Sequence, residues 1–141
     1  MDAETVLAKM MKQVDAARQS GMAGEYGWRF EVDAERHTVF VTMRDRRRPD
    51  RSYVLRTVFD DFPARAPSYV FVDVQAREST PGAWPPNVKH GDEALAGICT
   101  PGTREFHEKW HLNDATWPWN PDRLPFLDTL QRIHQLMERG A

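Results

Sequence analysis

Cysteine is nearly absent from this chain, since Cys99 is the only one among 141 residues. A lone cysteine cannot form an internal disulfide, which excludes the disulfide-stapled secreted domains. The formal net charge is only −2, so no general attraction to nucleic acid is predicted. No apolar run approaches the ~20 residues of a membrane span, and the N-terminus lacks a secretory signal pattern. We therefore expect one cytoplasmic domain over residues 1–141 that binds neither nucleic acid nor membranes.

The hydrophobic pattern predicts two helices that flank four strands. An amphipathic helix is predicted over Thr5–Ser20, with Gly21 and Gly24 ending it, and a second helix over Asp122–Arg139. Short connections between the strands favour antiparallel pairing. The fold class is therefore α+β, an N-terminal helix, a four-stranded antiparallel meander sheet and a C-terminal helix, with both helices on one sheet face. The predicted strands are Tyr26–Val32, His37–Arg44, Tyr53–Phe59 and Ser68–Val74.

Between the last strand and the last helix lies a long segment, Gln75–Thr116, with little periodicity. Segments of this length without regular structure are usually functional or disordered. Cys99 lies here, after Gly97-Ile98 and before Thr100-Pro101-Gly102, a context that predicts a short extended piece ending in a loop. By residue type alone, a free cysteine is more often an inert buried side chain than a nucleophile. A nucleophile needs neighbours that favour the thiolate.

Three segments resemble the ubiquitin-conjugating enzyme family, both in their motifs and in their order along the chain. Phe62–Phe71 is similar to the family's Tyr-Pro-Phe-x-x-Pro-x-Val-x-Phe segment, with two prolines four residues apart. Gly97-Ile98-Cys99 is similar to its Gly-x-Ile-Cys active-site strand, and Trp119-Asn120-Pro121 to the Trp-Ser-Pro before its next helix. The resemblance spans nearly the whole chain. It implies the ubiquitin-conjugating-enzyme-like fold with a long active-site loop, in the compact form of prokaryotic relatives.

The resemblance also implies an activity and its partners. Cys99 would accept the C-terminus of a ubiquitin-like protein from an activating enzyme as a thioester, and pass it to a lysine of a target protein. The N-terminal helix, with Lys9, Lys12 and Arg18 on its polar side, is where relatives meet the activating enzyme. Some prokaryotic relatives belong to ubiquitin-like conjugation systems linked to antiphage defence. This chemistry needs no cofactor and no metal.

The chain departs from the family at the helper residues. The family's His-Pro-Asn motif, with its Asn eight residues before the cysteine, is not intact: Asn87 follows a proline but lies twelve residues upstream, and His90 lies nine residues upstream. Support of the oxyanion or the thiolate is expected from one of these two residues. Asp92, Glu93 and Asp114 are candidate acceptors for the amine proton. The alternative function is a catalytically inactive binding module on the same fold.

A competing motif lies eight residues after Cys99. His107-Glu108-x-x-His111 fits the H-E-x-x-H pattern, in which two histidines on a helix bind zinc and the glutamate acts as a base. Thr103 could cap a short helix there, but no third ligand stands out. A structural zinc site that uses Cys99 with both histidines, with or without His90, is a further alternative. His134, in the second helix, is interpreted as a histidine at the edge of the core.

Overall fold

The computed structural model describes residues 2–86, 88–89, 91, 97–112 and 115–139. The elements follow the predicted α+β order along the chain, in which helices precede and follow the four strands of one sheet. Two short helical segments lie within the long loop, a 3-10 helix at Pro81–Ala83 and a π-helix at Phe106–Trp110. The main elements are α1 (Ala3–Gln19), α2 (Gly21–Tyr26), β1 (Arg29–Asp33), β2 (Thr38–Arg44), β3 (Ser52–Val58), β4 (Ser68–Val72) and α3 (Phe126–Arg139).

The first predicted helix is confirmed, but the role assigned to its glycines is wrong. The Asp2 side chain caps α1 by accepting from the Thr5 amide at 2.9 Å. Gly21 does not end the helical region, because Ser20 both closes α1 and caps α2, where its hydroxyl accepts from the Ala23 amide. Ser20 therefore begins a second helix at the place where glycines were expected to end the helical region. The α2 helix takes up Tyr26, so the first strand begins at Arg29 rather than at Tyr26.

The antiparallel meander is confirmed, with strand order β1-β2-β3-β4 and every neighbouring pair antiparallel. The pairs Val41 with Leu55 and Leu55 with Phe71 align three strands in register on one face. β4 ends at Val72, two residues before the predicted end, and Val74 beyond it is 54 % exposed. A period-two pattern does not reveal where pairing stops, which explains the overrun.

The core lies between the sheet and the two long helices. Most buried positions of the two long helices are apolar and recur with the 3.6-residue period of the sequence, and the polar exceptions are Thr129 and His134 on α3. The Phe126 ring, at the start of α3, meets the rings of Phe30, Phe59 and Tyr69 with centroids 5.3–6.5 Å apart. Residues without exposed surface in this core are Met10, Val14, Ala17, Val39, Val41, Met43, Leu55, Phe59, Phe71, Ile98, Leu130 and Ile133.

The last helix starts four residues later than predicted. Residues 121–124 form turns, and α3 begins at Phe126, whose amide donates to Gln13 Oε1 on α1 at 3.0 Å. The helix therefore begins where the first helix supplies a cap, a contact that local sequence does not report. Within the described residues, no helix is long and apolar enough to cross a membrane.

Candidate active site

Cys99 is the central residue of a three-residue turn. The Thr100 amide donates to the Ile98 carbonyl oxygen at 3.1 Å, which is the hydrogen bond of a γ-turn. Ile98 has no exposed surface and Thr100 is 5 % exposed, whereas Cys99 is half-buried. The two neighbours are thus anchored in the interior while the cysteine lies at the surface, which is the geometry that a thiol needs to meet another molecule.

The surroundings of the thiol do not favour the thiolate. Burial raises the pKa of the Cys99 thiol above its ordinary value, because a thiolate is poorly solvated inside a protein. Among the described residues, no cation offsets this effect. The described surroundings therefore favour the thiol of Cys99 over the thiolate.

The loop after Cys99 folds back on itself through Thr103. The Thr103 hydroxyl lies 2.8 Å from the Ile98 carbonyl oxygen and 3.0 Å from that of Thr100, and it accepts from the Phe106 amide at 3.1 Å. Thr103 therefore bonds to the first residue of the π-helix as expected, although the N-cap position itself is Glu105, which makes no side-chain cap hydrogen bond. Gly97 lies close against the same loop, because a Cβ on this residue would lie 2.6 Å from Glu105 Cγ. The turn is held by contacts that leave no room for a larger residue at Gly97.

Two charged side chains tie this loop to the proline-bounded segment before β4. Arg104 donates through Nε to the Ala66 carbonyl oxygen at 3.0 Å, and its amide donates to the Pro67 carbonyl oxygen at 2.8 Å. Glu105 is 7 % exposed and accepts from the Ser68 hydroxyl at 2.7 Å and from the next backbone amide at 3.1 Å. The cysteine loop is thereby fixed to the edge of the sheet.

The third segment of the resemblance joins the same assembly. Trp119 Nε1 donates to the Pro63 carbonyl oxygen at 2.8 Å, and its ring lies 6.3 Å from that of Phe62 and 5.7 Å from that of His107. Trp119 thus brings the third segment into contact with the first, and Arg104, five residues after Cys99, brings the cysteine loop into contact with the first segment as well.

The H-E-x-x-H motif is engaged in contacts within the protein. It lies on the π-helix, where His107 Nε2 accepts from the Gly102 amide at 3.0 Å and the His111 ring stacks on Phe106 at 4.2 Å. Glu108 accepts two hydrogen bonds from Arg65, at 2.7 and 3.0 Å, and these lower the pKa of its carboxyl. A carboxylate held in this way is a weak base. Across the described residues, no group of three or more His, Cys, Asp or Glu side chains could hold a metal ion.

The predicted helper residues lie outside the part of the chain that the structure describes. This holds for Asn87 and His90, the two candidates for oxyanion or thiolate support, and for Asp92, Glu93 and Asp114, the candidate proton acceptors. Their roles therefore stay predictions. The nearest described carboxylate after the turn, Glu105, is committed to β4 and is not free to accept a proton from an incoming amine.

His134 is fully buried rather than at the edge of the core. Its Nδ1 accepts from Trp28 Nε1 at 2.9 Å, its Nε2 lies 3.1 Å from Glu138 Oε2, and the Tyr26 ring covers it at 4.2 Å. Burial lowers the pKa of His134 and so favours the neutral ring. The interpretation of His134 as structural fits these contacts.

The basic face of α1 lies beside the proline-bounded segment. Lys9, Lys12 and Gln13 line one side of an open cavity of about 340 Å³, and Phe62 and Pro63 line the other. Arg18 lies further along α1, with its guanidinium 5.9 Å from the centre of the Phe30 ring. Two of the three predicted basic residues thus share a surface with the first segment of the resemblance.

Sequence reasoning missed the contacts that α3 makes with the cysteine loop. Arg132 Nη2 donates to the Pro101 carbonyl oxygen at 2.7 Å, and a Cβ on Gly102 would collide with Thr129 Oγ1. The Pro-Gly pair after Cys99 signalled a turn, but nothing in the sequence indicated which residues on a helix some 30 positions later lie beneath it.

Comparison with known proteins assigns no family. No family model matches the chain, and no curated protein matches it at a significant level. The likeness to ubiquitin-conjugating enzymes therefore depends on the three segments and on their arrangement around Cys99.

Proposed function

We propose that this protein is a ubiquitin-conjugating-type transferase. It carries a ubiquitin-like protein as a thioester on Cys99 and passes it to an amine of a target protein, within a bacterial ubiquitin-like conjugation system of the kind linked to antiphage defence. The observation that supports this most is that the proline-bounded segment contacts both the loop that follows Cys99 and the Trp119 segment. Arg104, in that loop, donates to the Ala66 carbonyl oxygen, and Trp119 donates to that of Pro63.

The proposed reaction has two steps. The Cys99 thiolate attacks the carbonyl carbon of the thioester between the activating enzyme and the ubiquitin-like protein, and the activating enzyme leaves as a thiolate. A lysine amine of the target then attacks the new thioester and loses its proton to a base, for which Asp92, Glu93 and Asp114 are the candidates, so that an amide forms and Cys99 is released as a thiolate. Each step passes through a tetrahedral oxyanion, whose stabilisation by one donor is worth about 10²–10³ in rate. Asn87 or His90 is the proposed donor.

The geometry of the turn suits this chemistry in one respect and limits it in another. Cys99 is half-buried and lies between two buried neighbours, so the backbone that carries its thiol is held in place. Because burial raises its pKa, only a small fraction is thiolate at neutral pH. The reaction therefore requires that a partner, or one of the proposed helpers, favours the thiolate in the complex.

The α1 helix is the proposed meeting point with the activating enzyme. Lys9 and Lys12 line the same cavity as Phe62, Pro63 and the single carboxylate Asp122, so two cations lie beside an apolar patch. An activating-enzyme domain with an acidic surface around an apolar side chain fits this combination.

A second candidate function is a binding module without chemistry. The raised pKa of Cys99 favours it, since a thiol without a cation nearby is a poor nucleophile. The two functions differ in one observable. A binding module holds the ubiquitin-like or activating protein reversibly and forms no covalent adduct with either.

The test is an adduct assay with purified protein, ATP, and a ubiquitin-like protein with its activating enzyme, chosen from any such pair that neighbouring genes are found to encode. We expect an adduct that requires ATP and disappears on reducing gels. Cys99→Ala should form none, while Cys99→Ser should form an oxygen ester that survives the reductant. An adduct on Cys99→Ala would show that another residue carries the protein, and reversible binding without an adduct would support the binding module.

A further inference from the structure

The peptide unit between Pro101 and Gly102 is held by a side chain at each of its polar groups. Its carbonyl oxygen accepts from Arg132 Nη2 on α3 at 2.7 Å, and its amide donates to His107 Nε2 on the π-helix at 3.0 Å. Backbone groups are mostly satisfied by other backbone groups or by water. Here two residues from different elements hold one peptide, two positions after Cys99.

The same peptide is fixed sterically. Gly102 has φ of +101°, a conformation that L side chains rarely adopt, and a Cβ there would collide with Thr129 Oγ1 and lie 3.2 Å from Arg132 Nη2. Gly102 has little exposed surface. The peptide therefore lies against α3 without space for an alternative orientation.

Arg132 is an unusual residue for this position. Among the described residues, no carboxylate lies within salt-bridge distance of its guanidinium, and its buried Nε has no hydrogen-bond partner. Burial lowers its pKa, as expected for a cation that gives up solvent, and the charge of nearby Asp128 opposes this effect only in part. The shortest hydrogen bond of this partly buried cation is the one to the Pro101 carbonyl oxygen.

We propose that His107 and Arg132 are positioning residues for Cys99, which hold the Pro101–Gly102 peptide and thereby the turn that presents the thiol. The chain between the held peptide and the γ-turn is one residue long, so rotation of that peptide moves Thr100 and with it the turn. His107 acts through a neutral Nε2, which accepts a hydrogen bond. This assignment gives the first histidine of the H-E-x-x-H motif a role that needs no metal.

The test measures the reactivity of the thiol directly. Cys99 is the only cysteine, so the alkylation rate with iodoacetamide between pH 6 and 10 reports this residue alone. When the contact of His107 or Arg132 with the Pro101–Gly102 peptide is removed, the turn should move into solvent. The apparent pKa of the Cys99 thiol, measured by alkylation, should then fall. A fall of half a unit gives about threefold more thiolate at neutral pH, and about twofold faster alkylation after the lower nucleophilicity is included.

The variants separate the hydrogen bonds from general packing. His107→Leu and Arg132→Met remove the two contacts and should each show the lower apparent pKa. His107→Gln, whose amide oxygen can reach the Gly102 amide, and Arg132→Lys, which keeps one donor, should restore the profile of the unmodified protein. The Gly102 amide proton, followed by NMR, should lose its hydrogen-bonded chemical shift in His107→Leu and keep it in His107→Gln.

A matched control addresses loss of stability. Trp28→Phe removes a buried hydrogen bond in the core, far from this loop in sequence, and should leave the alkylation profile unchanged at temperatures where it is folded. If both removal variants, folded by circular dichroism, alkylate with the unmodified pH profile, the peptide does not position Cys99 and the proposal is wrong. If His107→Leu does not fold, Arg132→Met, which changes a partly exposed residue, decides the question alone.

The consequence for thioester transfer rests on the proposed function, whereas the alkylation result does not. If the protein is a transferase, the removal variants should form the thioester more slowly while they alkylate faster. A faster alkylation with no adduct in any variant would support the positioning role and contradict the transferase. An unchanged alkylation profile with a normal adduct would do the reverse.

Discussion

Replacing Gly102 by alanine should destabilise the protein through two separate effects. At φ of +101°, a residue with a Cβ costs about 1–3 kcal/mol in backbone strain. The new methyl group would also overlap Thr129 Oγ1, and the displacement of packed groups costs typically about 1–3 kcal/mol. We therefore expect a loss of roughly 2–5 kcal/mol from a total stability of about 5–15 kcal/mol.

Urea titration followed by tryptophan fluorescence measures this loss. Gly24→Ala is the matched control: Gly24 lies in α2, is exposed, and has no atom within 4 Å of a Cβ built on it. That variant should gain up to about 1 kcal/mol, because alanine favours a helix over glycine. If Gly102→Ala unfolds within about 0.5 kcal/mol of the unmodified protein, the close contact between the cysteine loop and α3 does not exist.

Three further substitutions test the contacts around the core and the loop. Glu138→Gln should remove about 2–3 kcal/mol at pH 7, because the hydrogen bond from Arg46 lowers the pKa of Glu138 from 4.5 to about 2. That contribution is present above about pH 4.5 and is lost as the pH falls towards 2, so the stability difference measured by urea titration should vanish at low pH. Trp28→Phe leaves His134 Nδ1 without its donor and should cost about 1–3 kcal/mol in the same assay; an unchanged midpoint would contradict the buried hydrogen bond. Arg104→Met should speed proteolytic cleavage of the cysteine loop, and an unchanged cleavage rate would show that its hydrogen bonds do not anchor the loop.

Periodicity predicted the order of helices and strands because burial sets the identity of residues throughout an element. Val39, Val41 and Met43 alternate with less buried residues, and all three are fully buried in β2. The ends of elements were predicted less well. Ser20 starts a helix where a stop was expected, and Gln13 on one helix caps another, so these boundaries depend on contacts that a local pattern does not contain.

The candidate site, too, was predicted only in part. The position of Cys99 in a tight loop followed from its glycine and proline neighbours, and the structure has it in a γ-turn. The residues that hold the loop could not be predicted, because Arg104 and Arg132 act on backbone carbonyls. A carbonyl acceptor is present at every residue and leaves no trace in the sequence. The side chains therefore carry no local signal of their partners.

The most direct test of the proposed function is mass spectrometry of the ATP-dependent reaction mixture under non-reducing conditions. A thioester on Cys99 predicts a covalent species with the summed mass of this protein and the ubiquitin-like protein, less one water. The species should be linked through Cys99, and a thiol reductant should release it. Blocking Cys99 beforehand with iodoacetamide should abolish it. A covalent adduct with the ubiquitin-like protein that forms on the blocked protein would contradict a thioester on Cys99. So would the absence of any adduct when the activating enzyme is shown to carry the ubiquitin-like protein as a thioester.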